Sequence, residues 1–235
     1  MIDENIYQVR VSTRAKRMRI KISPLGQVEV VVPKRAPKFE VDLFVQSNID
    51  WINKTQQKLT ALRNTDPDLG FDPPDNINLV AIEAIFTVNY HPIAHKISVV
   101  EEGRNLKIYA NNDDERRDAL RFWLQEKAKQ TLVPWVNQVA NELGFKPNKV
   151  FIKAQKTRWG SCSSKKNINL NRNLLFVPPE LVRYLFVHEL CHLKHLNHSK
   201  EYWELVERCE PEFKQLDLAL NRATRDVPLW VMNGK

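Results

Sequence analysis

The segment His188-Glu189-Leu190-Cys191-His192 constrains this chain more than any other. Two histidines four residues apart lie on one face of a helix, about one turn apart, with the glutamate next to the first. The flanking residues agree with a helix from Pro179 to about Leu196. Pro179 and Glu180 suit a first helical turn. Leu181, Val182, Leu185, Phe186, Val187, Leu190 and Leu193 supply apolar faces for burial. The fold must therefore pack a core around a helix whose second half carries two imidazoles and a carboxylate.

That arrangement suits one metal ion. The imidazoles of His188 and His192 can grip a Zn2+ ion, one per chain, while Glu189 reaches a zinc-bound water and acts as catalytic base. The chemistry is metal-assisted hydrolysis, most often of a peptide bond, so a protein or peptide is the expected substrate. A straight helix cannot wrap a third imidazole around the same ion, because His195 is one further turn along the axis. His198 follows Asn197, a residue that tolerates the left-handed region, so a turn there can aim His198 back. His198 is favoured over His195, with Glu201 and Glu204 as alternatives. The spacing is also that of the metzincins. Those proteins carry a glycine where this chain has His195, however, and the one late methionine is Met232. Candidates for stabilising a developing oxyanion or contacting substrate are His195, Arg158 and Tyr202.

The remaining elements read as mixed α and β structure. Residues 17–22 alternate basic and apolar, Pro24-Leu25-Gly26-Gln27 reads as a turn, and Val28–Val32 returns as a second strand. Residues 38–62 pattern as one helix with Phe39, Leu43, Phe44, Ile49, Ile52, Leu59 and Leu62 on its apolar face. Strands are expected over 77–90, 96–101 and 105–109. A helix follows over 113–143, kinked or split by Pro134 and capped by Gly144. Two short strands, 149–155 and 167–175, flank a turn at 159–166, and helices follow the metal segment at 200–209 and 211–225. The expected fold class is α+β: a metal helix packed beside a small sheet, with an amino-terminal β-rich region. The expected division is 1–110 and 111–235.

Of 235 residues, 36 are Lys or Arg and 28 Asp or Glu, a formal net charge of +8. Arg14, Lys16, Arg17, Arg19 and Lys21 form a basic strand face that could meet nucleic acid or a nucleotide. Three cysteines are too few for a disulfide framework. The first ten residues lack the apolar stretch of a secretory signal, and no apolar run approaches the length of a membrane span. A cytoplasmic protein with no membrane contact is the expectation.

Two separated segments carry a family resemblance. Thr157-Arg158-Trp159-Gly160-Ser161-Cys162-Ser163-Ser164 with Ile168-Asn169-Leu170-Asn171, followed by HELCHLKHLNHS and Tyr202-Trp203, resembles the YgjP-like metallopeptidases. These are related in motif to the SprT-like and Wss1-like proteases. The resemblance is strongest over about Thr157 to Trp203 and extends weakly to the amino-terminal hairpin. It implies a small zincin core with His188, His192 and His198 as zinc ligands and Glu189 as base.

Two other readings compete. One is a metal-dependent hydrolase of nucleotides or other phosphorylated small molecules, of pyrophosphatase type. The basic balance and Arg158 favour it; the lack of a phosphate-binding glycine loop or acidic metal cluster opposes it. The other is a non-enzymatic binding module with a vestigial metal site, which gives no reason for Glu189 to be intact.

Overall fold

A computed structural model of the chain describes residues 7–13, 15–22, 26–65, 70, 72–93, 96–155 and 158–231. Arg14, Pro24, Leu25, Thr157, Met232 and the side chains of Leu59 and Leu62 lie outside that description. The chain forms two compact units, Met1–Gly70 and Phe71–Lys235. The expected boundary at 110/111 falls inside the second unit. There the strands before it and the helix after it contribute to one buried core.

In the first unit β1 (Tyr7–Ser12) pairs parallel with β3 (Val28–Pro33), and β2 (Arg19–Ile22) pairs antiparallel with the other side of β3. The expected hairpin is thus present as β2 and β3. Central strand β3 is the apolar one, and its Val28, Val30 and Val32 pack on Val41, Val45 and Ile52. Those last residues come from α1 (Lys38–Ser47) and α2 (Ile49–Thr65), two helices where the sequence suggested one. The break is at Asn48, whose side-chain amide donates to the Phe44 carbonyl at 2.8 Å. Within α1, Val41 and Val45 face the core, while Phe39 and Leu43, on the opposite side of the helix, stay exposed.

The second unit begins with a four-stranded sheet in the order β4-β5-β7-β6. The stretch read as one strand over 77–90 is a hairpin, β4 (Asn76–Leu79) and β5 (Ala84–His91), joined by a 3₁₀ turn. The reversal ends at Glu83, held at φ 49°, a conformation that no glycine announced. β6 (Ser98–Glu102) and β7 (Asn105–Tyr109) complete the sheet across Gly103, at φ 63°.

Helix α3 (Asp113–Glu142) covers this sheet. Asn112 caps it by accepting from the Glu115 N–H at 3.0 Å, and three acids in the first turn complement its dipole. It runs unbroken through Pro134. Leu132 and Val136, fully buried on either side, hold the helix together where a backbone bond is missing. Gly144, at φ 70°, ends it as expected.

A second, three-stranded sheet follows in the order β8-β10-β9. β10 (Asn167–Asn171) is central, with β8 (Lys149–Lys153) parallel on one side and β9 (Gly160–Cys162) antiparallel on the other. The expected strand to residue 175 ends at Asn171, and 172–176 is a 3₁₀ turn. Three helices close the unit: α4 (Pro179–Cys191), α5 (Lys200–Cys209) and α6 (Phe213–Arg222). Helix α4 packs against α3, α5, α6 and strand β9, so the metal helix does lie beside a small sheet in an α+β fold. No described helix is long and apolar enough to cross a membrane.

Candidate metal centre

Helix α4 ends earlier than its sequence suggests. After Cys191 the backbone tightens, with the Leu193 N–H donating to the Leu190 carbonyl and the Lys194 and His195 N–H groups to that of Cys191. The chain thus turns from His192 onward, and Asn197 is not among the described residues with positive φ. The chain bends at Leu196 and Asn197 as expected, though with no left-handed residue there, and this bend together with the tightened helix end delivers His198 to the face of α4.

The consequence is a cluster of three imidazoles. One donor nitrogen each from His188, His192 and His198 lies within 4.8 Å of the other two. The Nε2 atoms of His188 and His198 are 3.3 Å apart. Metal–nitrogen bonds of about 2.0–2.1 Å in tetrahedral geometry would place two donors about 3.3–3.4 Å apart, so this pair is already at ligand spacing. His188 is held neutral, its pKa lowered to about 4 by burial and by the two neighbouring imidazoles. Burial lowers that of His192 as well. Neutral imidazoles are what a metal requires.

The rings are held from behind. His192 Nδ1 lies 2.9 Å from the His195 carbonyl, which accepts its proton and leaves Nε2 free. Tyr202 of α5 stacks on His192 at 4.5 Å between centroids and donates its hydroxyl to the His188 carbonyl at 3.0 Å. Trp203 stacks on His198 at 5.4 Å and is backed in turn by Phe213 of α6. The Tyr184 hydroxyl, one turn before His188, donates to Asp217 at 3.0 Å and sits 3.5 Å from His188 Nδ1.

Glu189 is 4% exposed. Its Oε2 is buried without a hydrogen-bond partner among the described residues. Burial pushes its pKa up to about 8, and the nearby Arg158 charge opposes that shift. Strand β9 meets this carboxylate at Gly160, where a Cβ would stand 2.6 Å from Glu189 Oε1. Trp159 anchors the strand by donating from Nε1 to the Leu220 carbonyl at 3.1 Å. Asn171 clamps the segment before it, donating from Nδ2 to the Gln155 and Arg158 carbonyls.

The structure thus brings His188, Glu189, His192 and His198 together. His195 contributes its carbonyl to that group, and Arg158 stands exposed with its charge acting on Glu189. Tyr202 is fully buried, with its hydroxyl proton donated to the His188 carbonyl. Sequence reasoning missed Tyr184, Asp217 and the contact of Gly160 with Glu189. Tyr184 could have been found from its four-residue spacing to His188; nothing marked Asp217. In the first unit, Lys16, Arg17, Arg19 and Lys21 are exposed.

The profile of the YgjP-like, metallopeptidase domain family matches residues 16–223. The chain belongs to that family. A metal therefore belongs to its activity, and three clustered imidazoles, with a buried carboxylate oxygen on the residue after His188 that has no partner among the described residues, fit one. Two solved structures resemble part of this YgjP-like chain. The metallopeptidase zymogen abylysin of Pyrococcus abyssi is 26% identical, over 40% of this chain and 97% of that one, with a TM-score of 0.36. The metallopeptidase zymogen jannalysin of Methanocaldococcus jannaschii is 24% identical, over 40% of this chain and 96% of that one, with a TM-score of 0.36. No curated protein matches.

Proposed function

We propose that this chain is a zinc-dependent peptidase in which His188, His192 and His198 hold one Zn2+ and Glu189 is the base. The observation that carries the reading is the 3.3 Å approach of the His188 and His198 Nε2 atoms, with the next residue in the chain, Glu189, holding a buried carboxylate oxygen that has no partner among the described residues. When bound, the zinc supplies a Lewis acid that acidifies water and polarises a scissile carbonyl. Glu189 accepts the proton of the attacking water at its carboxylate and passes it to the leaving amide nitrogen. Arg158, exposed and close enough to act on Glu189, is the candidate for contacting substrate or the developing oxyanion. β10 is flanked on both sides and has no open edge for an extended peptide, so β9, at the margin of that sheet, is the strand assigned here to receive one.

The test compares zinc-loaded protein with Glu189→Gln on an unstructured protein and on nucleotides. Peptide cleavage that vanishes in Glu189→Gln while zinc remains bound supports the proposal. Nucleotide hydrolysis without peptide cleavage would replace it with the phosphorylated-substrate reading. We also propose the exposed Lys16, Arg17, Arg19 and Lys21 as the contact for a polyanion. A salt-sensitive gel shift with DNA is expected, and loss of that shift when the four are changed to alanine checks it.

A further inference from the structure

Helix α6 supplies no ligand, yet Asp217 on it reaches the site through a buried tyrosine. Tyr184 is fully buried on α4, and its hydroxyl has one proton. That proton goes to Asp217 Oδ1 at 3.0 Å. With its own proton committed, the Tyr184 oxygen can only accept from His188 Nδ1, 3.5 Å away. A proton on Nδ1 leaves the Nε2 lone pair free, and Nε2 is the atom that faces His198.

The geometry points to Asp217 as a positioning residue: by orienting the Tyr184 hydroxyl it selects the Nδ1–H tautomer of His188 and so aims the Nε2 lone pair at the metal. Asp217 is itself fixed, because Asn221 Nδ2 donates to its Oδ2 at 3.0 Å and to its carbonyl at 2.8 Å. The inference rests on His188 being a ligand and extends the proposed site to a carboxylate–tyrosine–histidine chain. Partners of this kind orient a ligand and tune its basicity.

The bond from Asn221 makes one substitution unusually informative. In Asp217→Asn the remaining oxygen stays under the Asn221 amide, and the new NH2 takes the place of Oδ1. It then donates to the Tyr184 oxygen and turns the hydroxyl proton toward His188 Nδ1, favouring the wrong tautomer. Zinc affinity, titrated against a chromophoric chelator, should fall about 10–100-fold in Asp217→Asn. Tyr184→Phe should weaken zinc binding as well. Asp217→Asn added to Tyr184→Phe should do no further harm, because the relay is already cut. An equal loss from Asp217→Asn in the Tyr184→Phe background would overturn the proposal, since charge or packing alone would then account for it.

Long-range 1H–15N correlation spectra of the metal-free protein read the tautomer directly. Wild type should show His188 protonated at Nδ1, and Asp217→Asn should shift it toward Nε2. The Nε2–H form in wild type, or one tautomer in both proteins, would also overturn the relay. Wild-type protein with the expected tautomer but no zinc binding would instead refute the metal reading alone.

Discussion

Replacing Gly160 by alanine tests how the site holds Glu189. Gly160 is not among the glycines with positive φ, so alanine meets no backbone strain there. The conflict is steric. A Cβ would lie 2.6 Å from Glu189 Oε1, 2.9 Å from Cγ and 3.0 Å from Cδ. Ordinary contact begins at 3.4 Å, so the oxygen must retreat by about 0.8 Å. Neither backbone can easily make that room. β9 is pinned by its pairing with β10 and by Trp159, and Glu189 belongs to a buried helix. The carboxylate must move instead. Overpacking of this size costs about 1–3 kcal/mol of stability. A catalytic group displaced by close to 1 Å costs about 10²-fold in rate. The new methyl group meets Glu189 and none of the histidines among its nearest atoms, so zinc affinity should stay near wild type. The assays are kcat on a cleavable peptide, zinc titration and thermal melting of the zinc-loaded protein. Wild-type kcat in Gly160→Ala would refute the claim that β9 fixes the carboxylate by contact. Lost zinc binding with intact Glu189 geometry would show that the strand acts on the histidines.

Three other outcomes follow from the same geometry. His188→Ala should abolish stoichiometric zinc binding, measured by metal analysis of purified protein. Tyr202→Phe keeps the ring on His192 but loses the bond to the His188 carbonyl. It should cost about 0.5–1.5 kcal/mol in melting experiments and leave kcat within a few-fold. A kcat collapse at unchanged stability and zinc affinity would instead make Tyr202 a substrate contact. In metal-free protein Glu189 keeps its proton to about pH 8 when folded but releases it near pH 4.5 when unfolded. The folded state then binds more protons, so stability should fall as pH rises through that window, by at most about 1.4 kcal/mol per unit. Metal-free Glu189→Gln should escape that loss, and denaturant melts at pH 5 and pH 8 would check it.

The metal helix was legible because its signal is local. Helical periodicity alone puts His188 and His192 on one face, and Pro179, the apolar run and Glu189 need no distant partner to be read. Gly144 was legible for the same reason, since a helix end that needs positive φ favours glycine. Where a local signal was absent, expectation failed. Asn48 splits a helix with its own side chain, and Glu83 turns a hairpin without glycine or proline. Pro134 gave the opposite failure: its local breaking tendency was overruled by apolar residues buried around it.

The amino-acid sequence by itself set two candidate donors, His188 and His192, the candidate base Glu189 and the helix that carries them, because chemistry and helical spacing are properties of the chain alone. Tertiary structure decided how that helix ends, which brings His198 back. It also decided that β9 lies against Glu189 at Gly160 and that Asp217 stands behind Tyr184. Tyr184 and Asp217 are 33 positions apart in the chain, and only the packing of separate elements sets a distance of that kind.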